Sequence, residues 1–104
     1  MNKVERRKLY VKAIQEWGMT SQLGMLMEEC AELIHATHKF IRKQDSSIRV
    51  RRNFVEEIAD VEIMLEQIKF TLYDGDLQDT IKTAKYDKLL RLRDMLEEIE
   101  KIQY

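Results

Sequence analysis

Residues 28–33 read Glu-Glu-Cys-Ala-Glu-Leu, and residues 56–61 read Glu-Glu-Ile-Ala-Asp-Val. The two phrases align without a gap, carboxylate on carboxylate. Both lie in stretches with helical spacing, where residues three apart share a side. With successive side chains about 100° apart, Glu29 and Glu32 border the apolar stripe of one helix, and Glu57 and Asp60 border that of the next. Glu28 and Glu56 point further toward solvent. A chain that folds back between the phrases brings Glu29, Glu32, Glu57 and Asp60 to one spot. Carboxylate oxygens in such a group suit a hard divalent cation, Mg2+ or Mn2+, rather than zinc.

Ordinary helix ion pairing is the competing account. It requires Lys or Arg three or four positions away. Glu66 has Lys69, and Glu97 has Arg93 and Lys101. None of the four inward acids has such a neighbour. Unneutralised, they repel one another, so the group needs a cation or raised pKa values.

Helices must position these acids. The chain has no proline and three glycines, and strong helix formers dominate it. The spacing predicts an all-α fold, an antiparallel bundle of about four helices in a single domain over 1–104. The first helix covers about 3–17, with Val4, Tyr10, Ala13, Ile14 and Trp17 on its apolar side, and Gly18 ends it. Thr20 or Ser21 caps the second, which runs to about Arg42 around a stripe of Leu26, Cys30, Leu33, Thr37 and Ile41. A polar turn at Lys43-Gln44-Asp45-Ser46-Ser47 leads to the third, from about Ser46–Arg49 to Tyr73. Asp74-Gly75-Asp76 is a stop-and-restart signal. The fourth runs from Leu77 or Thr80 to the C-terminus with a kink near Lys85, and its stripe is Leu89, Leu92, Met95, Leu96, Ile99 and Ile102. The third helix carries two stripes. Phe54, Ile58, Val61, Leu65, Ile68 and Leu72 form one, and Val55, Ala59, Ile63, Phe70 and Tyr73 form the other. Either a second subunit or helix one or four covers the latter.

Charge excludes little but points away from nucleic acid: 18 basic against 19 acidic residues give a net charge of −1. The basic run Arg49-Val50-Arg51-Arg52 reads as a solvated helix start rather than a polyanion contact. No apolar stretch is long enough for a bilayer, and the N-terminus lacks a secretory hydrophobic core. The single Cys30 has no internal disulfide partner and no basic neighbour to make it a nucleophile. The expected compartment is the cytoplasm.

Glu29-Cys30-Ala31-Glu32 followed by Glu57-Ile58-Ala59-Asp60 resembles the signature of the all-α, MazG-like nucleoside triphosphate pyrophosphohydrolases. The flanking Ser21–Met27 and Val61–Glu66 look like their compact bacterial and phage branch. The resemblance covers about residues 17–72 well and the last helix loosely. It implies Mg2+-dependent cleavage between the α and β phosphates of an NTP or dNTP, giving a monophosphate and pyrophosphate. Glu29, Glu32, Glu57 and Asp60 match the family's metal ligands. One of them, such as Glu29 or Glu57, or else the neighbouring Glu28, serves as base toward water. The resemblance also implies a homodimer or a dimer of dimers.

Weaker candidates surround this set. Lys39 and Arg42 lie beyond Glu32, and Lys85, Lys88 and Arg91 lie on the last helix, where the family places phosphate-binding cations. As single residues they read equally as solvated charges. Asn53 precedes Glu57 by one turn and suits either a ligand contact or a plain surface position. Trp17 and Gln22 have the chemistry to stack on a base and read its edge, although Trp17 reads more readily as core. Glu32-Leu33-Ile34-His35 has the Glu-x-x-His spacing of di-iron bundles, but the second copy puts Ile63 where a histidine belongs. A non-catalytic helical metal-binding or interaction protein of the same fold is the rival from another class.

Overall fold

A computed structural model describes residues 1–43 and 47–103, and among them there are four α-helices and no strand. They are α1 (Lys3–Trp17), α2 (Met19–Lys43), α3 (Ile48–Thr71) and α4 (Leu77–Gln103), with a 3-10 turn at Leu72–Gly75. Gln44, Asp45 and Ser46 of the expected turn lie outside the described residues.

Local chemistry sets the helix ends. The Asn2 side chain accepts from the Glu5 backbone N–H at 2.9 Å and caps α1. Gly18 stops α1 with φ 86°, and its N–H donates to the Ile14 carbonyl at 2.8 Å. The next helix starts one residue later, at Met19. Thr20 and Ser21 therefore lie inside its first turn and not at the cap. The Gly18 carbonyl accepts the first bond of α2, from the Gln22 N–H at 3.1 Å. Ser47 caps α3 by accepting from the Val50 N–H at 3.4 Å. At the far end Tyr73, Asp74 and Gly75 all have positive φ, 51°, 55° and 86°. Two of these are not glycine, and such residues cost about 1–2 kcal/mol each. This reversal ends α3 at Thr71, two residues before Tyr73.

The core lies between α1, α2 and α3. Tyr10, Ala36, Val61, Met64, Ile68 and Phe70 are its buried apolar members. The Tyr10 and Phe70 rings meet at 5.8 Å and a tilt of 58°. Phe40 and Phe54 stack at 4.7 Å, early α3 against late α2, so these two helices run antiparallel. Burying a ring such as Phe70 contributes about 1.5–3 kcal/mol. Buried Gln67 donates its amide to buried Gln22 at 2.6 Å. Glu66 pairs across helices rather than within one. It accepts from Arg6 Nε at 2.7 Å and from the Tyr10 hydroxyl at 2.7 Å, which ties α1 to α3.

Three expectations change. Trp17 is not core; it is 63% exposed. On the second stripe of α3 only Phe70 is buried, against α1, while Val55, Ala59, Ile63 and Tyr73 remain exposed. And α4 runs without a break from Leu77 to Gln103. Its opening turns lie against α3, whereas the large apolar residues of the stripe from Leu89 to Ile102 are exposed. No helix is long and apolar enough to cross a membrane among the described residues.

Candidate metal centre

Antiparallel packing of α2 on α3 brings the two acidic phrases together. One carboxylate oxygen from each of Glu29, Glu57 and Asp60 lies within 4.8 Å of the others. Glu29 and Glu57 are half-buried and Asp60 is exposed. Glu32 is exposed at the rim, yet its charge acts on both Glu29 and Glu57. Glu28 and Glu56 face solvent, as their helical angles require.

The electrostatics carry the mark of crowding. Loss of water raises the Glu29 carboxyl above the ordinary carboxylate range, and Asp60, Glu32 and Glu57 add to the shift. Loss of water also raises Glu57, with Glu32, Asp60 and Glu56 behind it. Glu29 Oε2 and Glu57 Oε2 are buried and have no hydrogen-bond partner. Buried acceptors are normally satisfied, so two orphans side by side in one acid group need a reason. A hard divalent cation fits these oxygens in number and type, and would supply the positive charge they lack. No histidine or cysteine joins the group among the described residues. His35 and His38 are exposed, and Ile63 stands on the exposed side of α3, so the di-iron arrangement has no second histidine.

Beside the acids is an apolar groove of about 490 Å3 lined by Ala13, Trp17, Gln22, Met25, Met64 and Gln67 among others. Met25 precedes Glu29 by one turn, and Met64 follows Asp60 by one turn. Groove and acids are thus neighbours along both helices. Gln22 lines this groove, but its side-chain carbonyl is committed to Gln67. Gln67 is the residue that sequence reasoning missed. Its signal was a polar amide beside the apolar stripe of α3, matched by Gln22 on α2.

The other residues expected to contact substrate are dispersed. Lys39 and Asn53 are half-buried and Arg42 is exposed. Lys85 lines a separate cavity of about 400 Å3, with Lys3, Arg6, Lys69 and Lys82 around Glu66 and Phe70. Lys88 and Arg91 are exposed further along α4. No family model, curated protein or solved structure matches the chain.

Proposed function

We propose that this chain is a MazG-like, Mg2+-dependent nucleoside triphosphate pyrophosphohydrolase of the cytoplasm. It hydrolyses the α–β phosphate bond of an NTP or dNTP to a monophosphate and pyrophosphate. One observation carries the reading: the clustered oxygens of Glu29, Glu57 and Asp60, two of the three acids having a buried unpartnered oxygen. Glu29, Glu32, Glu57 and Asp60 would hold Mg2+ or Mn2+, which would supply positive charge for phosphate oxygens and acidity for the attacking water. One carboxylate, Glu28, Glu29 or Glu57, serves as base toward the water. The apolar groove holds the base of the nucleotide against Trp17, which leaves the phosphates over the acids one turn away. The working form is a homodimer or a dimer of dimers.

The test is pyrophosphate release with Mg2+ across a nucleotide panel, beside Glu57→Gln. Wild type turns over at least one nucleotide and the variant loses most of that activity. Absence of turnover on every nucleotide by a metal-loaded protein sinks the enzyme and leaves the non-catalytic reading.

A further inference from the structure

We infer that the cavity between α1, α3 and the opening turns of α4 binds a compact polyphosphate anion, held by Lys3, Lys69, Lys82 and Lys85 away from the metal centre. Three helices send cations there. Lys3 and Arg6 come from α1, Lys69 from α3, and Lys82 and Lys85 from α4, around a volume of about 400 Å3. Five positive side chains thus line it with one acid, Glu66, in a chain whose net charge is −1. That acid is already engaged. Glu66 accepts from Arg6 Nε at 2.7 Å and from the Tyr10 hydroxyl at 2.7 Å, which commits Arg6 as well. Lys3 lies over the Phe70 ring, 5.5 Å from its centre. Lys69, Lys82 and Lys85 have no ion pair among the described residues.

The type of cation selects the anion. Ammonium groups drawn together around one cavity repel, so their counterpart is an anion of several charges. A planar carboxylate is best met by an arginine fork, and the one arginine lining this cavity is committed to Glu66. Lysines act as separate point charges, which suit phosphoryl oxygens spread over a small volume. Phe70 and Ile81 present apolar surface in the same cavity, and a lower local dielectric strengthens each charge contact. The place is distinct from the metal centre. At 100° per residue, Glu66 and Lys69 lie about 120–180° around α3 from Glu57 and Asp60, and Lys69 is about 14 Å further along the axis than Asp60. Phosphates over the acids and an anion in this cavity are therefore separate events within one chain. Because its cations come from three helices, a bound anion fastens the opening turns of α4 to α1 and α3.

Isothermal titration calorimetry of the full chain with tripolyphosphate tests it, at low salt and after removal of metal, when the acids can only repel the anion. Wild type binds the anion, salt weakens the binding, and the melting temperature rises as it must for a ligand of the folded state. Lys69→Gln with Lys82→Gln weakens binding by at least roughly tenfold, because two charged contacts are lost. Should that variant lose helical circular dichroism, Lys82→Glu at its exposed position decides, and it weakens binding as much. Glu29→Gln leaves the affinity as in wild type. Citrate, a carboxylate anion, binds at least roughly tenfold more weakly than tripolyphosphate. A non-hydrolysable nucleoside triphosphate separates the two sources of the phosphoryl chain. Tighter binding than tripolyphosphate assigns the cavity to a nucleotide, and equal or weaker binding assigns it to an inorganic chain. No binding of tripolyphosphate, binding that the lysine variants leave unchanged, or citrate bound as tightly overturns the proposal. So does an affinity that Glu29→Gln changes as much as the lysine variants do.

Discussion

Gln67 Nε2 donates to Gln22 Oε1 at 2.6 Å, and both residues are buried. Gln22 precedes Glu29 by seven positions, and Gln67 follows Asp60 by seven. Two turns separate the amide pair from the acids on each helix, so the register that closes the amide bond is the one that sets Glu29 opposite Asp60. The same register sets Glu32 opposite Glu57, in line with the mutual charge effects within the group. A polar clamp in an apolar core thus fixes where the acids meet, because sliding either helix by a residue would leave two buried amides unpaired.

Gln67→Leu removes one side of the clamp and leaves the Gln22 amide buried without a partner. The expected cost is about 1–3 kcal/mol, since an orphaned buried group loses its full desolvation penalty. Gln22→Leu with Gln67→Leu recovers part of it. Urea unfolding of the single and double variants measures both. A single variant as stable as wild type would show that the clamp does not set the register.

Glu57→Gln separates electrostatics from folding. The ionised Glu57 is disfavoured where it stands, chiefly through lost water and then through Glu32 and Asp60. Neutralising it relieves repulsion, so the metal-free variant melts at or above the wild-type temperature. Mg2+ raises the melting temperature of wild type, as any ligand of the folded state must, and raises that of the variant far less. Thermal melts with Mg2+ and with a chelator read this without any substrate. A metal-free variant less stable than wild type would sink the account of crowding.

The stability of the metal-free protein responds to pH with two signs. Glu66 is held below its ordinary value by the Arg6 and then the Tyr10 hydrogen bonds. Its contribution is complete above about 4.5 and is lost as pH falls through the lower folded value. Glu29 and Glu57 are raised, so their contribution is present below about 4.5 and is lost as pH rises through their elevated values. Tyr10 is pushed up from 10 to about 12 by burial and by Glu66. Its share holds below 10 and is lost as pH rises through about 12. Glu66→Gln flattens the acid limb of a stability–pH curve. An ultraviolet titration shows a tyrosine step at about 12, and Tyr10→Phe removes it. A titration curve that Tyr10→Phe leaves unchanged near 12 would contradict the burial of Tyr10.

The acid group was legible because two helical phrases of one pattern, separated by a turn, have few ways to pack except face to face. Helix number and type followed from a proline-free chain with clear periodicity. The joint between α1 and α2 was not legible in detail: Thr20 and Ser21 look like caps, but a lone Gly18 with positive φ closes one helix and opens the next. The partner of Glu66 was misread for a different reason. Lys69 lies at helical spacing, yet Arg6 and Tyr10 arrive from a helix some sixty residues away in sequence and make shorter, better-oriented bonds. Periodicity also marked the α4 stripe without saying what would cover it, and its large apolar residues are exposed.

Trp17 is the only tryptophan of the chain, and it stands exposed in the wall of the groove beside the acids. If a nucleotide places its phosphates over Glu29 and Asp60, its base enters that groove and meets the indole. Stacking of a base on an aromatic side chain is worth about 1–3 kcal/mol. Trp17→Ala should therefore raise KM roughly 5- to 150-fold at 1.4 kcal/mol per decade, with kcat largely kept because the acids are untouched. The intrinsic fluorescence of wild type should change on adding a non-hydrolysable nucleotide with Mg2+, and Tyr10→Phe should leave that change in place. A KM unmoved by Trp17→Ala, with no fluorescence response to any nucleotide found to be turned over, would put the base elsewhere on the molecule.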